Sequence, residues 1–319
     1  MIRPLPEAAA RVLKEGVFCY LASSHPSGPH VTPVVFAVHG SRLWVTTSRG
    51  SVKARTWRRD PRVGGLVRAG DRAVAFTGRV VTFDLLEPGS WPRSVLHAPS
   101  LTRAAAAFTV KNTRFFAGYA VDAYRVPLAW TPPGRVFAAI ELERIAMIRG
   151  DAVGRTWGGF GARIGSATTF RVSPGGRDPL DGVPANVRER IDDAGTGVLG
   201  VDGPRRPPAA LPCRWEISGG DLLAVLPSEI LALASPHPDS KVSLTIDHAS
   251  QWRARSMAGV MAQGEGRMFE IARLRSGGRS AARIVEAAGL DPDSSALVRV
   301  RPRRIVWWQG WDSGTVRIG

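Results

Sequence analysis

The sequence predicts a mainly β chain, α+β in class, assembled from two similar halves. Three observations predict it. Short runs rich in β-branched and aromatic residues recur between turn signals, at Val17 to Ser23, Val31 to Val38, Leu43 to Thr47 and Arg72 to Asp84. Displaced by 179 positions, residues 16–63 fall on 195–242 without a gap, bringing Pro29 onto Pro208, Pro33 onto Pro212, Gly40 onto Gly219 and Leu43 onto Leu222. Between the halves, residues 150–184 are rich in Gly, Ser and Pro (GGFGARIGS, SPGGRDPLDG). These features set a first unit over 1–150, a linker over 151–184 and a second unit over 185–319.

The elements follow in order. Residues 4–15 read as an amphipathic helix and Val17 to Ser23 as the first strand; His25-Pro26-Ser27-Gly28-Pro29 is turn chemistry. Val31 to Val38 is the second strand. Leu43 to Thr47 opens the stretch around which the chain is organised, LWVTTSRGSVKARTWRRDPRV. It breaks at Ser48-Arg49-Gly50-Ser51 and continues as a helix from Val52 to about Arg59, which Asp60-Pro61 ends because the residue before proline avoids the α region. Hydroxyls, free backbone N–H groups and Lys53 meet where that helix begins. The arrangement reads equally as a phosphate seat and as a β-turn-α junction with a solvated basic helix. Arg72 to Asp84 supplies a further strand or two with Gly78 inside, Pro88 to Tyr124 is helical, and Val136 to Ile148 returns to strand. In the second half a strand at 259–267, a helix at Arg279 to Ala288 and a strand at Leu297 to Trp308 repeat that order, with Arg304-Ile305 on Arg144-Ile145.

Composition excludes several classes. No run of 18 apolar residues is present, and the N-terminus MIRPLPEAAARVLKEG has no secretory h-region, so a cytoplasmic protein with no membrane role is expected. The net charge of +16 comes from arginines scattered over both halves, with lysine only at 14, 53, 111 and 241. Without a dense basic tract or a recognition motif, that argues against nucleic acid as a partner. Cys19 and Cys213 lie in apolar surroundings, which suits reduced core thiols rather than a disulfide. The six histidines lack metal-ligand spacing, and no acid–base dyad or nucleophile triad is readable, so no metal and no catalytic residue is assigned.

From LASSHPSGPHVTPVVFAV through VTTSRGSVKARTWRRDPRV to VAFTGRVVTF, the segment Ala22 to Asp84 resembles the pyridoxamine 5′-phosphate oxidase-like, split β-barrel flavin-binding family. The resemblance implies two split β-barrels of the FMN-binding type, fused into an intramolecular pseudo-dimer that stands in for the family's homodimer. It implies FMN as cofactor, with a deazaflavin coenzyme or haem as alternatives. By position, Thr46, Thr47, Ser48 and Ser51 would bond the phosphate and ribityl chain, and Lys53 would neutralise the phosphate, with Arg58 a further candidate. The strand carrying Thr32, Pro33 and Val34 would lie along the isoalloxazine. Trp308 and Gln309, in the Trp308-Gln309-Gly310 that matches the oxidases' Trp-Gln-Gly, would close the groove from the other barrel.

The halves diverge at these positions. Thr46, Thr47, Ser48, Ser51 and Lys53 align with Val225, Leu226, Pro227, Ile230 and Ala232, while Trp308 aligns with Ile148. One shared site per chain is therefore expected, its mirror image having lost both the phosphate ligands and the tryptophan. Departures limit the reading. Val52 stands where the oxidases have a basic residue, and no arginine–histidine cluster follows Trp308-Gln309-Gly310, so synthesis of pyridoxal phosphate is not expected. The expectation is a flavin-dependent oxidoreductase acting on a small organic substrate, as a pseudo-dimer within one chain, with a monomer and a further dimer both left open. The alternatives are a deazaflavin-dependent reductase, a non-catalytic flavin- or haem-binding protein in which His30 or His97 would be the axial candidate, and a scaffold serving partner binding.

Overall fold

The computed structural model describes residues 1–84, 86–121, 134–161, 164–171, 178–202, 206–237, 240–248 and 254–318. In the first half, β1 (Phe18–Ser23), β2 (His30–His39), β3 (Arg42–Ser48), β4 (Arg62–Ala69), β5 (Arg72–Phe83), β6 (Arg135–Arg149) and β7 (Ala152–Trp157) form an antiparallel sheet in the order β3-β2-β1-β4-β5-β6-β7. Pairing of β3 with β6 closes six of these strands into a barrel. The second half repeats the order with β8 (Ala194–Asp202), β9 (Ala209–Ser218), β10 (Asp221–Pro227), β11 (Lys241–His248), β12 (Ala258–Glu270), β13 (Ser295–Gln309) and β14 (Asp312–Arg317), closed by β10 on β13. The chain is thus mainly β, two barrels with covering helices.

The correspondence extends to irregularities. A bulge separates Thr77 from Gly78 where β5 meets β6, and another separates Gln263 from Gly264 where β12 meets β13. Register corrects the ungapped repeat by one residue. Thr32 faces Leu21 in the first barrel, whereas Leu211, its counterpart, faces Leu199 in the second, so the β8–β9 turn holds one residue more.

Period-2 alternation fills the first barrel. Cys19 and Leu21, Phe36, Leu43 and Val45, Val63 and Val67, and Val74 and Phe76 point inward. Helix α1 (Glu7–Glu15) lays Ala9, Val12 and Leu13 against them, the spacing of one helical face. The opposite face of β1, β4 and β5 (Ala22, Leu66, Ala73, Ala75) joins the second barrel's core. That seam is what holds the barrels together.

Strand β4 does not stand out in the sequence, because RVGGLVRA carries two glycines. Each has a packing reason: a Cβ at Gly64 would collide with the Pro208 carbonyl across the seam, and one at Gly65 with the Phe76 ring. After β3 comes α2 (Val52–Trp57). The helical expectation after β5 is met by α3 (Trp91–Leu96), α4 (Ala98–Lys111) and α5 (Thr113–Val121), with α4 packed on β2 through Phe108; residues 122–124 lie outside the described residues. The passage expected as a linker begins inside the first sheet, since β7 pairs with β6. Phe170 and Leu180 are then buried with the second barrel before α6 (Ala185–Arg188). Helices α7 (Ser228–Ala232) and α8 (Gly278–Ala287) complete the second half. No described helix is long and apolar enough to cross a membrane.

Candidate functional site

The first barrel splits beside β2. Pairing of β2 with β3 begins at Phe36↔Val45, and beyond that point β3 leaves β2 to follow β6 as far as Ser48↔Arg135. Residues 32–35 of β2 therefore keep β1 on one edge and have no β3 partner on the other. Residues of one parity direct their backbone groups to the same edge. Val31 shows which: its N–H donates to Met261 Sδ at 3.0 Å and its carbonyl accepts from Thr245 Oγ1 at 2.7 Å, both on the second barrel. Pro33 and Val35 turn the same way, and proline is tolerated there because that edge has no ladder donor to lose.

The far wall of the split is Thr46 to Lys53. Alternation sends Thr46 and Ser48 outward and Thr47 inward. Thr46 Oγ1 accepts from Arg135 Nε at 2.9 Å. Thr47 Oγ1 lies 3.0 Å from Ser51 Oγ, which caps α2 by accepting from the Ala54 N–H at 3.1 Å; the Ser48 carbonyl accepts from the Ser51 N–H at 3.0 Å. The loop is thereby fixed in shape through the Thr46, Thr47 and Ser51 hydroxyls and the Ser48 carbonyl.

Lys53 turns inward across the split and donates to the Thr32 hydroxyl. It is only 5% exposed. Burial pushes its ammonium down to about 8, with the Cys19 thiol opposing weakly. Cys19 is itself raised to about 12 by burial. No carboxylate acts on Lys53 among the described residues, so a buried cation has only a hydroxyl for company. His30, at the same end of the barrel, is buried with Nδ1 unpartnered and held well below the usual histidine range by burial and then by Lys53. The split thus holds a buried ammonium with no anionic partner and a buried imidazole whose Nδ1 is unpaired.

Other predicted residues have different neighbours. Arg58 spans Asp84 (3.5 Å) and Glu87 (3.6 Å), and Arg49 also binds Asp84, a carboxylate 1% exposed that clamps the loop. Val34 lies half-buried against the barrel core. Gln309 accepts from Asn186 of α6. His97 packs edge-on against Phe83 with ring centroids 6.0 Å apart.

Trp308 stands on β13 opposite Gly259. A Cβ on Gly259 would lie 2.5 Å from Trp308 Cζ2 and 2.8 Å from Asp247 Cβ, so the indole and Asp247 share one spot and only glycine leaves room for both. Asp247 accepts from Tyr20 Oη at 3.3 Å, and Tyr20 faces Pro33 in the β1–β2 register. A chain of neighbours thus runs from Trp308 through Asp247 and Tyr20 to Pro33, crossing the seam. Burial raises Asp247 to about 6 against the pull of the Tyr20 hydrogen bond, Arg68 and His248. Sequence reading missed Asp247, Tyr20 and Asp84. Position offers one signal, since Asp247 lies 179 residues after Arg68 and so exchanges an acid for a base between the halves.

In the second barrel this split is shorter by one pair. Its β9–β10 ladder runs one pair further, to Val225↔Arg214, where the counterparts Thr46 and Val35 stay apart.

The family model described as pyridoxamine 5′-phosphate oxidase matches residues 5–89, a span covering both walls of the split. No curated protein matches the sequence. Among solved structures, an FAD-binding protein from Mesorhizobium loti aligns at 21% identity over 44% of this chain and 91% of its own, with TM-score 0.33. A pyridoxamine 5′-phosphate oxidase-related, FMN binding protein from Nostoc punctiforme aligns at 16% identity over 46% and 85%, with TM-score 0.34. A heme binding protein from Mycobacterium smegmatis aligns at 17% identity over 49% and 58%, with TM-score 0.32. The first barrel is thus similar to the pyridoxamine 5′-phosphate oxidase family over residues 5–89, and the second barrel repeats that barrel's strand order.

Proposed function

We propose that the chain holds one flavin-type cofactor, FMN or a deazaflavin coenzyme, in the split of the first barrel and acts as an oxidoreductase on a small organic substrate. One observation carries the reading: the family match covers a split whose buried Lys53 lacks an anionic partner. When bound, such a cofactor supplies the hydride transfer. The protein's part is positioning. Lys53 and Thr32 hold the phosphate end, with charge-assisted hydrogen bonds replacing the hydroxyl contact Lys53 makes alone. Thr47 and Ser51 keep the loop in shape behind it. The open edge at Pro33 and Val35 presents backbone groups to the polar rim of the ring. Trp308, braced by Gly259 and Asp247, closes the groove from the second barrel and excludes water. The counterparts Val225, Ile230, Ala232 and Ile148 offer a phosphate no charged or hydroxyl ligand, so a single site is favoured.

The test is an absorption spectrum of the purified chain, followed by titration with FMN, deazaflavin coenzyme and haemin for the wild type and Lys53→Ala. One equivalent of flavin or deazaflavin per chain, weakened at least about tenfold by the substitution, is expected from loss of a buried charge-assisted contact. A Soret band indifferent to Lys53, or two flavin equivalents, would overturn it.

A further inference from the structure

The mirror groove has lost its phosphate chemistry but is not filled in. A cavity of about 280 Å³ remains between the barrels there, reaching from Arg68 and Arg72 of the first to Thr196, Arg214, Val225 and Ile230 of the second. Strand register identifies the place. Pro212, Val225, Ile230 and Ile148, all in its wall, are the counterparts of Pro33, Thr46, Ser51 and Trp308. The space is therefore a property of how two such barrels meet, and only its lining has changed.

That lining has two parts. The back is apolar: Ile148, Val225, Ile230 and Leu290, with Pro212 and Cys213 beside them. The mouth carries Arg68, Arg72 and Arg214 with Asp71 and Asp151 beside them, which leaves one positive charge in excess. Arg214 is paired with Asp151 at 3.3 Å and Arg72 with Glu15 at 2.7 Å. Arg68 has no carboxylate within ion-pair distance among the described residues; its guanidinium donates to the Gly197 carbonyl and lies 5.8 Å from the Tyr20 ring centroid. An apolar recess ending at a guanidinium that makes no ion pair among the described residues, with Asp247 acting on it only from a distance, matches an organic acid in shape and charge. A phosphate ester would find Thr196 as its one hydroxyl in the lining and no second arginine free of a carboxylate, since Arg72 and Arg214 are paired.

We propose that this second groove is a binding site for a small monocarboxylic acid with an aromatic or branched apolar body, its carboxylate on Arg68 and its body against Ile148, Val225 and Ile230. The site is independent of whether the first groove takes a flavin.

Benzoate serves as probe, followed by calorimetry and by methyl NMR shifts of Ile148, Val225 and Ile230. The expected result is saturable binding of one benzoate per chain, weakened about tenfold or more in Arg68→Gln, as for loss of one charge-assisted hydrogen bond. Ala73→Leu, which narrows the cavity without removing charge, is expected to weaken it as well, and Lys53→Ala to leave it unchanged. Acetate and inorganic phosphate, lacking the apolar body, are expected to bind at least about tenfold more weakly, since burying a ring's surface contributes more than that factor. Circular dichroism checks that each variant is folded. The proposal is overturned by absence of benzoate binding, by binding indifferent to both Arg68→Gln and Ala73→Leu, by loss of binding in Lys53→Ala, or by acetate or phosphate binding as tightly as benzoate.

Discussion

Replacing Lys53 with methionine removes the ammonium while keeping a chain of similar length in the same apolar slot. Burial has moved the group from 10.5 to about 8. At about 1.4 kcal/mol per unit, the charged form of Lys53 costs the folded state roughly 3 kcal/mol. The sign follows from proton linkage. Between about pH 8 and 10.5 the unfolded chain binds the proton and the folded chain does not, so stability rises with pH across that window and is depressed below it. The cofactor-free Lys53→Met variant should therefore be more stable than the wild type at pH 7, by about 1–3 kcal/mol once the lost Thr32 contact is counted. The difference should shrink towards pH 10.5. Lys111, lowered to about 8 by its own burial against Phe36, contributes equally to both proteins and drops out of the comparison. Urea denaturation at pH 7, 9 and 10.5 measures it. With saturating FMN the order should invert, because ligand stabilisation scales with affinity and only the wild type retains the anchor. A variant that is less stable at pH 7 and keeps the wild-type pH slope would refute the reasoning, since the ammonium would then have a compensating partner.

Three further outcomes are expected. Asp247, raised by burial from 3.8 to about 6, contributes stability fully present below pH 3.8 and lost as pH rises through 6; Asp247→Asn should gain roughly 3 kcal/mol over the wild type at pH 7 and nothing at pH 3.5, read by denaturant titration at the two pH values. Gly64→Ala drives a methyl into the Pro208 carbonyl across the seam and should lose about 2–4 kcal/mol, while Gly50→Ala, with open space around it, should stay within about 0.5 kcal/mol in the same thermal melt. Gln263 is wholly buried and donates to the Gly28 and Pro29 carbonyls at 2.7 and 3.1 Å; Gln263→Leu leaves both unsatisfied and should cost about 1–3 kcal/mol, with faster hydrogen exchange confined to the seam.

The first barrel's strands were legible because each inward face alternates cleanly, as Leu43, Val45 and Thr47 do against Trp44 and Thr46. The α2 turn was legible through Ser51 and Lys53, which occupy neighbouring positions of the chain. Strand β4 was not, because its glycines answer to Pro208 and Phe76, groups remote in sequence. Arg58 could not be assigned from the chain either. A basic residue on a helix reads alike whether it awaits an anion or already binds Asp84.

What the sequence alone determined is the local and the repeated: two β-rich halves in the same order, a loop of hydroxyls and one lysine in one half only, and a tryptophan kept in the other. Local propensity and side-chain type suffice for those, because they depend on residues a few positions apart. Tertiary structure decided what depends on distant residues meeting. It turned Lys53 inward onto Thr32, set Asp247 of the second barrel between Tyr20 of the first and Trp308, and left a cavity beside Arg68. Each is a consequence of the seam, where strand register, not composition, determines which side chains face one another and which charges are left without a partner.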